Sequence, residues 1–193
     1  VYIFMPDWVS KERIKIMQMY GAKVTLISRE EGGFIECTKR AKEMSLEKTG
    51  FLANQFSNHD NLLAHYETTG KEIVKEVPET IGSFISGIGT GGTLMGVGKR
   101  IKEKYKNIKI VGIEPDKMPI VSKGKILGNH KIEGIGDDFI PDLVDKRKID
   151  KFYLINDNDA INMSRKLALD LGLGVGISSG ANFIGAVLEN NIS

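Results

Sequence analysis

Short β-branched or aromatic runs alternate along the chain with longer stretches in which apolar residues recur every three or four positions. That alternation predicts an α/β fold with a largely parallel sheet. Strands are predicted at residues 2–5, 23–27, 83–86, 108–113 and 152–155. Ser10 is placed to cap a first helix with Ile14, Met17 and Tyr20 on one face and Gly21 at its end. A second helix is predicted over 34–48 with Gly50 beyond it, and a third over 94–105. A fourth opens at Asn156, with Asp159 as a capping-box-like partner, and carries Ile161, Leu167 and Leu171 to Gly172. The last begins after Gly180. Residues 115–141 lack a regular period, as expected of a long loop region of the kind that carries function.

Composition narrows the class. The 193 residues hold 27 Lys plus Arg against 25 Asp plus Glu, a formal charge of +2. Such balance argues against nucleic acid or a membrane surface as partner. With 41% apolar and 27% charged residues the chain has an ordinary globular composition, enough for one domain or a small pair. No apolar run reaches the roughly 18 residues of a spanning helix, and the opening Val1-Tyr2-Ile3-Phe4-Met5-Pro6 has no basic leader, so a cytoplasmic location is expected. The single Cys37 excludes a disulfide framework or a cysteine metal knuckle and is expected to be a half-buried helix residue. With no initiator Met and a strand at the first residues, either the strand begins the mature chain or this is a piece of something longer.

The chemistry concentrates in Ser83-Phe84-Ile85-Ser86-Gly87-Ile88-Gly89-Thr90-Gly91-Gly92-Thr93-Leu94, a strand running through glycines into a helix. Glycines let backbone N–H groups approach an anion, and the helix start adds unpaired donors and the positive end of its dipole. Thr90 and Thr93 add hydroxyls. No Gly-Lys-Ser/Thr follows, which excludes a nucleoside-triphosphate loop. Gly87, Gly89 and Gly92 do satisfy G-x-G-x-x-G, with Glu114 closing the next strand where a dinucleotide fold puts its ribose-binding acid. A phosphomonoester, a dinucleotide or a purely structural turn all remain open from this loop alone. The second cluster, Gly174-Val175-Gly176-Ile177-Ser178-Ser179-Gly180-Ala181, offers two hydroxyls that either meet a ligand or cap a helix.

Taken together the segments closely resemble the pyridoxal-phosphate-dependent cysteine synthases (O-acetylserine sulfhydrylases) and the related cystathionine β-synthases. The matching pieces run in family order: Met5-Pro6 with Ser10 and Glu12-Arg13; Gln55-Phe56-Ser57-Asn58; His65 with Thr68-Thr69-Gly70 and Glu72-Ile73; Gly87 through Thr93. They continue with Glu114-Pro115, His130-Lys131-Ile132, Gly134-Ile135-Gly136, Phe139-Ile140-Pro141 and Gly176 through Ala181. Separated motifs in one order are far more specific than one glycine loop, and they favour this family over a dinucleotide oxidoreductase. The resemblance implies a tryptophan-synthase-β-like fold (pyridoxal-phosphate fold type II), truncated, with twisted, mostly parallel sheets flanked by helices. It assigns residues 1–58 to part of a smaller mobile domain and 59–193 to the larger domain with the cofactor phosphate loop.

The resemblance also implies roles. Gly89, Thr90, Gly91, Gly92 and Thr93 would hold the phosphate of pyridoxal 5'-phosphate, and Ser178 would hydrogen-bond the pyridine nitrogen. A neutral hydroxyl there leaves the ring a milder electron sink, suited to β-replacement. Gln55 and Phe56 would lie near the substrate carboxylate, Gly134 and Gly136 at the mouth of the site, and His65 would be a structural helix residue. The implied reaction makes L-cysteine from O-acetyl-L-serine and sulfide. The implied partners are an amino-acid substrate, a second copy in a homodimer and serine acetyltransferase.

The match fails in three places. The family's Schiff-base lysine, in a Ser-x-Lys-Asp-Arg-like segment, and its Thr-Ser-Gly-Asn-Thr-Gly substrate loop are not in this sequence. Lys11 is not a substitute, since Val9-Ser10-Lys11-Glu12-Arg13 aligns with a later helix and its lysine should be solvated. No catalytic residue and no metal ligand are therefore assigned, and the 193 residues alone are expected not to hold the cofactor covalently. Finally, Asp137 and Asp138 stand where typical cysteine synthases have small residues. They are a solvated loop pair, or they orient an amine-bearing second substrate or act as a base on water or a thiol. Cystathionine synthesis, cysteine breakdown to sulfide, a dinucleotide oxidoreductase and an inactive docking or dimerising chain are the alternatives.

Overall fold

The computed structural model describes residues 1–190. Among them lie two compact units, Val1–Asn54 and Gln55 onward. The first is β1 (Tyr2–Pro6), α1 (Lys11–Met19), β2 (Lys23–Ile27) and α2 (Gly33–Glu47), with β1 and β2 parallel in the register Tyr2 to Lys23. Ser10 stands at the N-cap of α1 without a side-chain cap bond. The expected apolar face of α1 is not a buried one. Ile14 and Met17 are half-buried and Tyr20 is 81% exposed. Cys37, expected half-buried, is buried on α2.

The second unit carries α3 (His59–Glu67), α4 (Thr69–Glu76), β3 (Ser83–Gly87), α5 (Gly92–Lys104), β4 (Lys109–Pro115) and a four-residue α6 (Ile120–Lys123). After a 3-10 turn at Lys146–Lys148 come β5 (Lys151–Ile155), α7 (Asp157–Leu171) and α8 (Ile177–Asn190). The sheet order is β3-β4-β5, all parallel. β4 is central, and from Ile110 to Pro115 every residue is buried, the near-continuous apolar run expected of a parallel strand covered on both faces. Ile88, Leu94, Val97, Ile101, Ile108 and Ile110 form one buried cluster, and Ile113, Ile132, Ile135, Ile155, Ala160 and Ala181 a second.

Local chemistry at the helix termini sets where the later helices begin and end. Asn156 caps α7, its side chain accepting from Asn158 N–H at 2.9 Å, and Gly172 closes it in the left-handed region at φ 69°. The cap uses Asn158, so Asp159 has no part in it. α5 begins two residues earlier than its apolar period suggests, because Gly91 takes φ 84° and turns the chain directly into the helix. α8 starts at Ile177, before Gly180. Gly176 O accepts from the N–H groups of Ser179 and Gly180 at 3.0 and 3.3 Å, so neither serine caps the helix. Gly180 is needed for another reason: a Cβ there would meet the backbone of Ala160 and Ser164 on α7.

Candidate functional site

The glycine turn is built by close approach from three sides. β3 ends at Gly87, and Ile88 N–H donates to Ile113 O at 3.0 Å while Ile88 O accepts from Gly136 N–H at 2.9 Å. A Cβ on Gly89 would lie 2.6 Å from Gly134 O, one on Gly91 would strike Val144, and one on Gly92 would strike the Asn61 side chain. Glycine is therefore required here by neighbours as well as by backbone angle. Among the described residues the N–H groups of Gly89, Thr90, Gly91, Thr93 and Leu94 carry no hydrogen bond. Five free donors gathered in one turn at the start of a 13-residue helix form a cradle of the kind that can take a tetrahedral anion.

The hydroxyls of the loop are held from behind. Asn61 Nδ2 on α3 donates to Thr90 Oγ1 at 3.0 Å and to Gln55 O at 2.8 Å, and Gly92 N–H reaches the same Thr90 oxygen at 3.2 Å. His65 Nε2, one turn further along α3, lies 3.1 Å from Thr93 Oγ1, and its Nδ1 lies 3.3 Å from Thr69 Oγ1. α3 comes this close because α5 offers Gly92 and Gly96 at the crossing; a Cβ on Gly96 would strike Leu62 O and lie 2.9 Å from His65 Cβ. Sequence reasoning assigned Asn61 no role and His65 a structural one. The signal was present as Asn and His four residues apart, i and i+4 on one helix face.

The turn at Gly134 and Gly136 adjoins the cradle. Both glycines have positive φ, 95° and 75°. His130 Nε2–H donates to Gly136 O at 2.8 Å while its Nδ1 accepts from Ile132 N–H at 3.2 Å, so both nitrogens are committed to the shape of this turn. Asp157 anchors the same segment by accepting from Lys131 N–H and from Lys117 Nζ, each at 2.9 Å. Those partners outweigh burial and keep its carboxyl below the usual range. Asp137, next along, is half-buried, and burial together with the neighbouring Asp138 pushes its carboxyl up to about 6. Phe56 meets Phe139 edge-on at 4.9 Å, with Phe56 O accepting from Leu143 N–H at 3.4 Å. Gln55 is exposed and reaches the loop only through its backbone carbonyl.

Ser178 sits in the first turn of α8, half-buried, its hydroxyl without a partner among the described residues. One turn on, Asn182 Oδ1 lies 3.4 Å from where a Gly87 Cβ would be, so this face of α8 looks onto the end of β3. Glu114, the residue a dinucleotide site would need, is 1% exposed and committed to the fold. Its two oxygens accept from Val121 and Ser122 N–H at 2.7 and 3.0 Å, closing the start of α6. Lys11 is exposed, at the first position of α1. No helix among the described residues is long and apolar enough to cross a membrane.

Comparison with known proteins places the chain in a family. A family profile described as pyridoxal-phosphate dependent enzyme matches residues 1–192. Cysteine synthase B of Campylobacter jejuni is 41% identical over 185 residues, which is 94% of this chain and 60% of that protein. A hydrogen sulfide-producing enzyme of Fusobacterium nucleatum superposes with TM-score 0.93 at 50% identity, covering 99% of this chain and 58% of that one. The O-acetylserine dependent cystathionine β-synthase of Helicobacter pylori superposes with TM-score 0.92 at 37% identity, covering 100% and 62%. The chain thus spans about 60% of the length of the relatives it matches. The five free amides fit a phosphomonoester, and Glu114, committed to closing the start of α6, does not offer its carboxylate to a dinucleotide ribose. The chain belongs to the pyridoxal-phosphate dependent enzymes of fold type II, with the cysteine synthases as its kin.

Proposed function

We propose that the protein carrying this chain replaces the β-substituent of an O-acylated serine, converting O-acetyl-L-serine and sulfide to L-cysteine. When bound, pyridoxal phosphate supplies the electron sink that lets a β-leaving group depart. The residues of this chain would bind and orient. Gly89 to Thr93 would hold the phosphate through backbone N–H groups and the two threonine hydroxyls. The Ser178 hydroxyl would meet the pyridine nitrogen without delivering a full proton, which keeps the sink mild. Gln55, Phe56 and the Gly134 and Gly136 turn would border the amino-acid substrate. The observation that carries this reading is the Ser178 hydroxyl, without a partner among the described residues, on the α8 face that looks onto the end of β3, where the glycine turn begins. A homodimer and docking to serine acetyltransferase belong to the same reading.

One observation favours a second direction of the chemistry. Burial and Asp138 push the Asp137 carboxyl up to about 6 beside the turn, within reach of taking or giving a proton at neutral pH, and the Fusobacterium relative is named for producing hydrogen sulfide. Incubating the intact protein separately with O-acetylserine plus sulfide and with cysteine alone decides between them. Net cysteine formation supports the synthase. Steady sulfide release from cysteine, falling at least tenfold in Asp137→Asn, supports the desulfhydrating direction, and turnover of neither substrate overturns both.

A further inference from the structure

We propose that Asn61 and His65, stacked on one face of α3, are positioning residues that aim the hydroxyl protons of Thr90 and Thr93 at the cofactor phosphate. The inference rests on the glycine cradle being the phosphate site. Asn61 has only one workable orientation. Gln55 O can only accept, so the atom 2.8 Å from it is the amide nitrogen, and that nitrogen's second hydrogen goes to Thr90 Oγ1. Thr90 Oγ1 then accepts twice, from Asn61 and from Gly92 N–H, which fills both lone pairs. Its own proton has to leave on the third side.

His65 completes the pattern. A phosphate dianion can only accept, so Thr93 must donate to it and receive at its oxygen. The donor at 3.1 Å is His65 Nε2–H, which leaves Nδ1 to accept from the Thr69 hydroxyl at 3.3 Å. Three protons then run in one direction, from Thr69 through the imidazole and Thr93 to the anion. This direction requires the imidazole tautomer that carries its proton on Nε2. Nothing in this arrangement touches the reacting carbon; α3 acts through the threonines.

The test compares the affinity of the intact protein for pyridoxal 5'-phosphate with that for pyridoxal, which lacks the phosphate. Losing one hydrogen bond to a charged group narrows that preference about tenfold. Thr90→Val with Thr93→Val should narrow it, and so should Asn61→Asp, whose carboxylate pulls the Thr90 proton inward, and His65→Leu. His65→Gln, which restores a donor near the Nε2 position, should stay within about threefold of the natural protein. If the threonine variant narrows the preference while Asn61→Asp and His65→Leu do not, the positioning role is overturned and the phosphate site stands. If the threonine variant changes nothing, the phosphate site itself is wrong. His65→Gln behaving like His65→Leu would reduce the histidine to packing and overturn its part. Independently of variant folding, 15N spectra of the cofactor-loaded natural protein should show His65 as the neutral Nε2–H tautomer, and an Nδ1–H tautomer would refute the proposed proton direction.

Discussion

Single residues in this molecule are held at unusual cost where the loops meet. Asp137 is the clearest. Burial and Asp138 raise its carboxyl from 3.8 to about 6, so the folded chain binds a proton that the unfolded chain has released. The sign follows. Below about 4 both states are neutral there and stability is unaffected; between about 4 and 6 the destabilisation grows; above 6 it is constant. Asp137→Asn should therefore be more stable than the natural protein at pH 7.5 by on the order of 2 kcal/mol, each pH unit between the two titrations counting for about 1.4 kcal/mol before residual solvent contact reduces it. The gain should vanish near pH 4. Urea denaturation at both pH values measures this, and an equal gain at each would refute the burial account.

Among the elements, α8 is fixed at its far end by a buried acid. Glu189 is 2% exposed and accepts from Lys109 and Lys151, at 3.1 and 3.0 Å, and from Tyr153 Oη–H at 2.9 Å. Burial alone would raise its pKa, but the lysine and tyrosine donors win and hold it down to about 2. A depressed carboxylate stabilises the fold above its unfolded value and loses that contribution as pH falls toward 2. Glu189→Ala removes the common acceptor of Tyr153 and of two partly exposed lysines, whose charges solvent can take up, and should cost about 1 kcal/mol in thermal unfolding at neutral pH; a change under about 0.3 kcal/mol would show the cluster to be ornamental. This element also marks the limit of sequence legibility. All five strands were readable, as were α5 and α7, because β-branched runs and apolar spacing reflect the same burial that holds them; α1 was readable too, although its apolar spacing marks no buried face. α3 and α4 were not, since polar, histidine-bearing residues such as His59-Asp60-Asn61 break the apolar period; α3 is secured by packing on Gly92 and Gly96 of α5, and α4 by bringing its own Gly70 against the Arg100 side chain. The first turn of α8 was misplaced for a related reason: Gly180 reads as a helix breaker in sequence and acts as a contact point against α7. For the candidate site, the glycines and threonines stood out as a local run, while Asn61, His65 and His130 act across 6 to 29 residues of sequence, and the i, i+4 spacing of Asn61 and His65 does not by itself say which loop they meet.

At the scale of the whole molecule the two compact units differ in what holds them. The unit Val1–Asn54 has a two-stranded sheet that buries Met5 and Ile27, with Cys37 of α2 buried in the same unit. The later unit surrounds a three-stranded sheet with two buried clusters and an entirely buried central strand segment. A two-stranded sheet is marginal on its own, so the units should open independently. Native-state hydrogen exchange should give amides of β1 and β2 an opening free energy several kcal/mol below that of β4. Equal protection in both would mean a single cooperative unit.

The crossing of α3 over Gly92 and Gly96 carries a consequence for anyone who would transplant the glycine-rich signature. The turn is local, a matter of a dozen consecutive residues, but the direction in which its hydroxyls speak is dictated from 28 and 29 positions upstream. A graft of the turn alone would reproduce the curve of the backbone and leave two threonines free to rotate. The portable unit is the helix pair with its turn, and a search for kindred sites should look for the asparagine and histidine as earnestly as for the glycines.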